Sequence, residues 1–352
     1  MDVRKCVLKE YEIIKRFTDE KQLPGACFSV VTKDEIAYSC CGNKSLLPEE
    51  TELSSDTLYD IASLSKVVST STMVARLIEE GLLSFDTKAS EILDGFAYDD
   101  ITVLDLIAHR SGYPADDKNY KLCQTPEELW DFIVHLPRTY KRGERVEYSC
   151  FNYIILGKII EKIKGNMEDY AREVLFDHLG SDQIMYRPAE KGRKEDCAPT
   201  EVTEARGIIQ GEVHDGKAHI LGGVAGNAGV FADVEALSLF VQMMLNEGSL
   251  HGKQILSEET MKLFKESYTK GLNESRTMGG WFFGDPSTSA GSKISKCSLY
   301  HTGFSGTSIY IDFERRCGIV LLSNAIHPSR VTKIARIRPV FHDQVLDFID
   351  HN

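Results

Sequence analysis

Strand-like runs stand at both ends of this chain of 352 residues, and helical patterns fill the stretch between them. Residues 26–32 and 36–41 flank the polar Lys33, Asp34 and Glu35, which predicts a hairpin ending at Gly42 and Asn43. Residues 298–301, 307–313 and 317–323 are short runs separated by Gly303, Gly306 and the charged turn of Glu314, Arg315 and Arg316. An amphipathic helix over 3–17, with Val3, Cys6, Val7, Ile13, Ile14 and Phe17 on one face, precedes the first hairpin. A last helix fits Pro339 in its first turn, with Val340, Phe341, Val345, Leu346 and Ile349 on one side. The middle reads as helices at 64–80, 101–109, 126–135, 151–164, 167–178, 233–247 and 257–266.

This order predicts an α+β fold: an antiparallel sheet assembled from both chain ends, flanked by helices, with a mainly helical lobe inserted. No linker rich in Gly, Ser or Pro divides the chain, so a single domain over 1–352 is expected. Its sheet lobe takes about 1–60 plus 280–352 and its helical lobe about 61–279, with a cleft where they meet.

Forty-one basic against 53 acidic residues give a net charge of −12, which repels nucleic acids and anionic membranes. Neither partner is expected. The first twenty residues are charged every few positions, and nothing approaches the roughly 18 consecutive apolar residues of a spanning helix. A cytoplasmic protein is expected. Nine cysteines, odd in number and mostly within apolar patterns, read as reduced thiols. No Cys-x-x-Cys pair occurs, and His214, Asp215 and His219 lack helical metal-ligand spacing, so they read as a surface turn and no metal or cofactor is expected.

The chemistry concentrates at Ser63 and Lys66, where a helical pattern begins that stops at Gly81. Both side chains project from one helical face, beside free amides and the positive end of the helix dipole. A serine hydroxyl becomes a nucleophile when a neighbouring base takes its proton, and a lysine can serve when its pKa is lowered. Spacing alone decides little, because Ser267 and Lys270 repeat it in a polar stretch with no apolar helix following.

Two further segments add weight: Tyr148, Ser149, Cys150 and Asn152 in one, His301, Thr302, Gly303, Phe304, Ser305 and Gly306 in the other. With Ser63 and Lys66 these resemble the three active-site motifs of the superfamily of class C β-lactamases, penicillin-binding proteins and serine esterases. The segment from Ile101 to Gly112, with His109, and the stretch from Gly211 through the glycines at 222–229 to Phe231 are similar to others in that superfamily. The resemblance spans about residues 20–325 and implies a β-lactamase/transpeptidase-like fold.

It also implies roles. Ser63 would form an acyl-enzyme, Lys66 would relay the proton from a lowered pKa, and Tyr148 would act as general base. The amides of Ser63 and Phe304 would form an oxyanion hole, with His301, Thr302, Gly303 and Cys150 lining the substrate groove. Two departures bear on the substrate. His301 stands where β-lactamases carry lysine, as a pH-dependent partner for a substrate carboxylate, and Cys150 stands where they carry asparagine. Weak or no β-lactamase activity is therefore expected, and hydrolysis of a small-molecule ester, amide or peptide instead. The same two residues also fit an alternative, a catalytically silent ligand-binding or sensor protein of the same fold.

Overall fold

A computed structural model describes residues 1–285 and 289–352. Its centre is a seven-stranded antiparallel sheet of β1 (Gly25–Thr32), β2 (Ile36–Ser45), β3 (Thr51–Glu52), β4 (Phe282–Phe283), β5 (Ser298–Thr302), β6 (Ser308–Asp312) and β7 (Cys317–Leu322). The spatial order is β4-β5-β6-β7-β1-β2-β3, so both chain ends meet where β1 pairs with β7, Cys27 opposite Leu322 and Ser29 opposite Val320. β5 lies one strand from the edge, with His301 opposite Ile309 of β6.

Alternation along β1 explains the layering. Ala26, Phe28 and Val30 face one core, shared with α1 (Val3–Asp19) and the C-terminal helix. Cys27 and Val31 face the other, which runs on among the helices from the middle of the chain. Ser29, on that side, bonds Ser238 through the two hydroxyls at 2.7 Å. On this side stand α2 (Ser71–Glu79), α3 (Cys150–Lys164) and α4 (Val234–Leu245), the last packed on β1 and β7, along with a small sheet of Tyr59–Asp60, Val230–Ala232 and Ile184–Tyr186. That small sheet anchors the chain just before Ser63.

The C-terminal helix, α5 (Ile334–His351), differs from expectation because it starts five residues before Pro339, which sits inside it. Proline disfavours the helical conformation in the residue before it, a signal for a boundary. Here Ile334, Ile337 and Phe341 are all buried against the sheet, and that packing carries the helix through.

Candidate active site

Ser63 follows a strained turn. Ala62 has φ of +49°, a left-handed conformation that costs a non-glycine residue roughly 1 kcal/mol or more. The turn is held from several directions. The buried Asp60 accepts the Ala62 N–H at 2.8 Å through Oδ1 and the His214 N–H at 2.7 Å through Oδ2. Ser305 Oγ donates to the Asp60 carbonyl at 2.6 Å, and Thr307 Oγ1 to that of Ile61 at 3.2 Å. Beyond Ser63 the helix opens as a π-helical turn over Lys66–Thr70, the wider kind common at functional sites.

That turn buries Lys66 completely. Its Nζ donates to Ser63 Oγ at 3.0 Å and to the Asn227 carbonyl at 2.9 Å. It also lies 5.1 Å from the centroid of the Tyr148 ring. The lowered pKa expected of Lys66 is not what its surroundings produce. Burial acts to lower it, but Cys150, Tyr148 and Asp215 outweigh burial and raise it, with Tyr148 also acting as a hydrogen-bond partner.

Tyr148 is positioned by His109, whose own φ is +56°. The His109 carbonyl accepts the Glu147 N–H at 2.8 Å and its Nδ1 accepts the Ser149 N–H at 3.2 Å, so one residue pins the backbone on both sides of Tyr148. The rings pack with centroids 4.6 Å apart. Asn152 Nδ2 is also 3.2 Å from His109 Nδ1, and Asn152 Oδ1 accepts from Ser111 Oγ at 2.6 Å. With Nδ1 accepting, the imidazole is the neutral Nε2–H form, and burial, Arg276 and Lys66 all push its pKa well down.

β5 closes the site from the other side. Gly303 has no room for a side chain: a Cβ would lie 2.1 Å from Thr307 Oγ1 and 2.4 Å from the Ile61 carbonyl oxygen. Phe304 follows, 53% exposed, its ring stacked on His214 with centroids 5.5 Å apart. Among the described residues, the backbone N–H groups of Ser63 and Phe304 have no acceptor in the protein. Thr302 is half-buried at the strand end.

His301 corrects an expectation. It is 3% exposed, its Nδ1 lies 3.0 Å from the Thr302 carbonyl, and burial, Arg276 and Lys66 push its pKa well below the usual histidine value. A neutral imidazole supplies no charge for a substrate carboxylate. Cys150 is half-buried at the start of α3 and adjoins Lys66, whose anchor is instead the Asn227 carbonyl.

Asp215 also departs from the surface turn expected of it. It accepts the Ala218 N–H and Asn227 Nδ2, both at 2.9 Å. Burial opposes its ionisation, yet Lys217, those two donors and Lys66 hold its pKa below the carboxylate range. Arg276 was not singled out from sequence, and Asp215, Asn227 and His109 lie in segments noted there without a catalytic role. Arg276 is fully buried, 5.6 Å from the Tyr148 ring centroid, with Glu274 and the Gly280 carbonyl as partners. The other Ser-x-x-Lys pair is inert: Lys270 is exposed and outside any helix.

Comparison with known proteins gives the family and the fold. The family model described as Beta-lactamase matches residues 12–340. A protein of Escherichia coli O157:H7 provisionally named D-alanyl-D-alanine carboxypeptidase is 29% identical, over 86% of this chain and 79% of its own. The N-acetylmuramyl-L-alanine amidase of Bacillus subtilis strain 168 is also 29% identical, over 86% and 78%. Among solved structures, simvastatin synthase of Aspergillus terreus superposes with a TM-score of 0.78 at 16% identity, covering 99% of each chain. A hydrolase with promiscuous acyltransferase activity superposes at 0.76 and 17%, covering 97% and 99%. The fold is thus the β-lactamase/transpeptidase-like one, and the chain belongs to the beta-lactamase family.

Proposed function

We propose that this protein is a serine hydrolase that cleaves small esters or amides through an acyl-enzyme on Ser63. The observation that carries the reading is the contact of Lys66 Nζ with Ser63 Oγ at 3.0 Å while the same nitrogen lies 5.1 Å from the Tyr148 ring. Lys66 holds the Ser63 hydroxyl by the bond from its Nζ. Tyr148 takes the Ser63 proton, its ring lying 5.1 Å from Lys66 Nζ and 5.6 Å from the Arg276 guanidinium. Ser63 Oγ bonds to the substrate carbonyl carbon, and the oxygen becomes an anion facing the amides of Ser63 and Phe304. The carbonyl then re-forms, and the leaving alcohol or amine departs with the proton from Tyr148. Water, deprotonated by Tyr148, attacks the acyl group, releasing the acid and restoring Ser63.

The substrate class follows from the groove walls. With His301 neutral and Cys150 in place of an amide side chain, the groove presents little to grip an acylamino carboxylate, and β-lactam turnover is weak or absent. The names of the carboxypeptidase and amidase relatives support amide or peptide substrates, and the acyltransferase-active neighbour supports esters. No helix of the described residues is long and apolar enough to cross a membrane. Nine unpaired cysteines fit a reducing compartment, the cytoplasm. The test is a panel of p-nitrophenyl acetate and butyrate, D-amino-acid p-nitroanilides and nitrocefin, with Ser63→Ala as control. Ester or anilide hydrolysis that disappears in Ser63→Ala is expected; hydrolysis unchanged in that variant refutes the reading.

A further inference from the structure

The C-terminal helix sends one charged side chain toward the end of β5, and nothing in the reaction above uses it. Arg338 of α5 is 7% exposed, and its Nη2 donates to the carbonyl oxygens of Gly303 at 2.6 Å and Thr307 at 2.9 Å. Among the described residues no carboxylate pairs with it, and its buried Nε has no partner. Burial pushes its pKa below the usual guanidinium value. An unpaired buried cation is costly to fold around.

The carbonyl of Gly303 and the N–H of Phe304 belong to one planar peptide unit and point in opposite directions. Whatever holds the carbonyl therefore aims the N–H. The only other donor to that carbonyl among the described residues is the Gly306 N–H, at 3.3 Å. The turn itself is closed independently by the Gly303 N–H on the Thr307 carbonyl at 2.8 Å. We propose that Arg338 is a positioning residue for the oxyanion hole. It grips the peptide between Gly303 and Phe304 by its carbonyl, so that the N–H faces the acyl oxygen beside Ser63. Its charge, behind the same peptide, adds positive potential where the oxyanion forms. The inference rests on acyl transfer at Ser63 and extends it.

Arg338→Gln keeps donors without charge, Arg338→Lys keeps charge without the planar fork, and Arg338→Met keeps neither. The readouts are kcat and KM for p-nitrophenyl butyrate, the affinity of a phenylboronic acid that forms an anionic tetrahedral adduct on the serine, and the melting temperature. Arg338→Met should lose about 10- to 100-fold in kcat and in boronate affinity, with KM changed by less than about threefold. Arg338→Lys should recover part of the boronate affinity, and Arg338→Gln should lie between Lys and Met. If Arg338→Met does not fold, the Gln and Lys variants decide. A folded Arg338→Gln or Met with wild-type kcat and boronate affinity, or with a loss confined to KM, overturns the proposal. A wild-type protein with no label at Ser63 and no hydrolysis would fail the parent reading instead and take this inference with it.

Discussion

Replacing Gly303 with alanine tests how closely β5 must approach the nucleophile. The new Cβ would stand 2.4 Å from the Ile61 carbonyl oxygen and 2.1 Å from Thr307 Oγ1, where ordinary contacts begin at 3.4 Å. The oxygen of Ile61 accepts the Leu64 N–H at 3.0 Å as well as Thr307 Oγ1 and cannot swing away. The end of β5 must therefore retreat by about 1 Å, carrying the Phe304 amide with it. A misplacement of that size in a catalytic site costs on the order of 100-fold, equivalent to about 2.7 kcal/mol of barrier. Overpacking should lower stability by about 1–3 kcal/mol as well. Steady-state hydrolysis of p-nitrophenyl butyrate beside urea unfolding separates the two losses. Adding Thr307→Ala removes the 2.1 Å clash but leaves the 2.4 Å one, so it should restore some stability and little kcat. Wild-type kcat in a folded Gly303→Ala would refute the reasoning.

Three other outcomes are expected. Tyr148→Phe should lower kcat by about 100- to 10,000-fold with its melting temperature kept; wild-type kcat in that variant would remove Tyr148 from the mechanism. His342 is fully buried, and burial, with Arg338 adding, lowers its pKa from 6.5 to about 4. The unfolded chain thus binds the extra proton first, stability falls as pH drops from 6.5 toward 4, and at pH 5 this group should account for ~2 kcal/mol of the loss. Urea midpoints of His342→Gln should accordingly move less between pH 7 and pH 5 than those of the wild type. Glu10 is fully buried with neither carboxylate oxygen partnered among the described residues, and burial pushes its pKa well up. Glu10→Leu should stabilise the protein at pH 7 by about 1–3 kcal/mol in the same unfolding assay.

Much of the architecture was legible because it rests on local periodicity. The hairpin at 26–41, the three late strands and the helix from residue 3 are each visible as runs of two- or 3.6-residue spacing. Glu10 shows the limit: it continues the stripe of Val3, Cys6, Val7, Ile13, Ile14 and Phe17, yet its charge hides it from a hydrophobic pattern. The start of α5 was missed because packing by Ile334 and Ile337 outweighs the local effect of Pro339. At the site, Ser63, Lys66 and Tyr148 were legible as motifs. The clamping part of His109 and the presence of Arg276 were not, because they depend on long-range contacts, a backbone clamp 40 residues away in one case and burial beside Tyr148 in the other. The surroundings of Lys66 were hidden for a related reason: sequence does not show that Cys150, Tyr148 and Asp215 stand around it and act on its pKa against burial.

The most direct measurement is to trap the intermediate. Intact mass spectrometry after brief mixing with p-nitrophenyl butyrate and an acid quench, followed by peptide mapping, should find one butyryl group on Ser63, absent from Ser63→Ala and slow to form in Tyr148→Phe. Turnover with no covalent adduct under conditions where acylation outruns deacylation, or an adduct on any other side chain, would contradict the account.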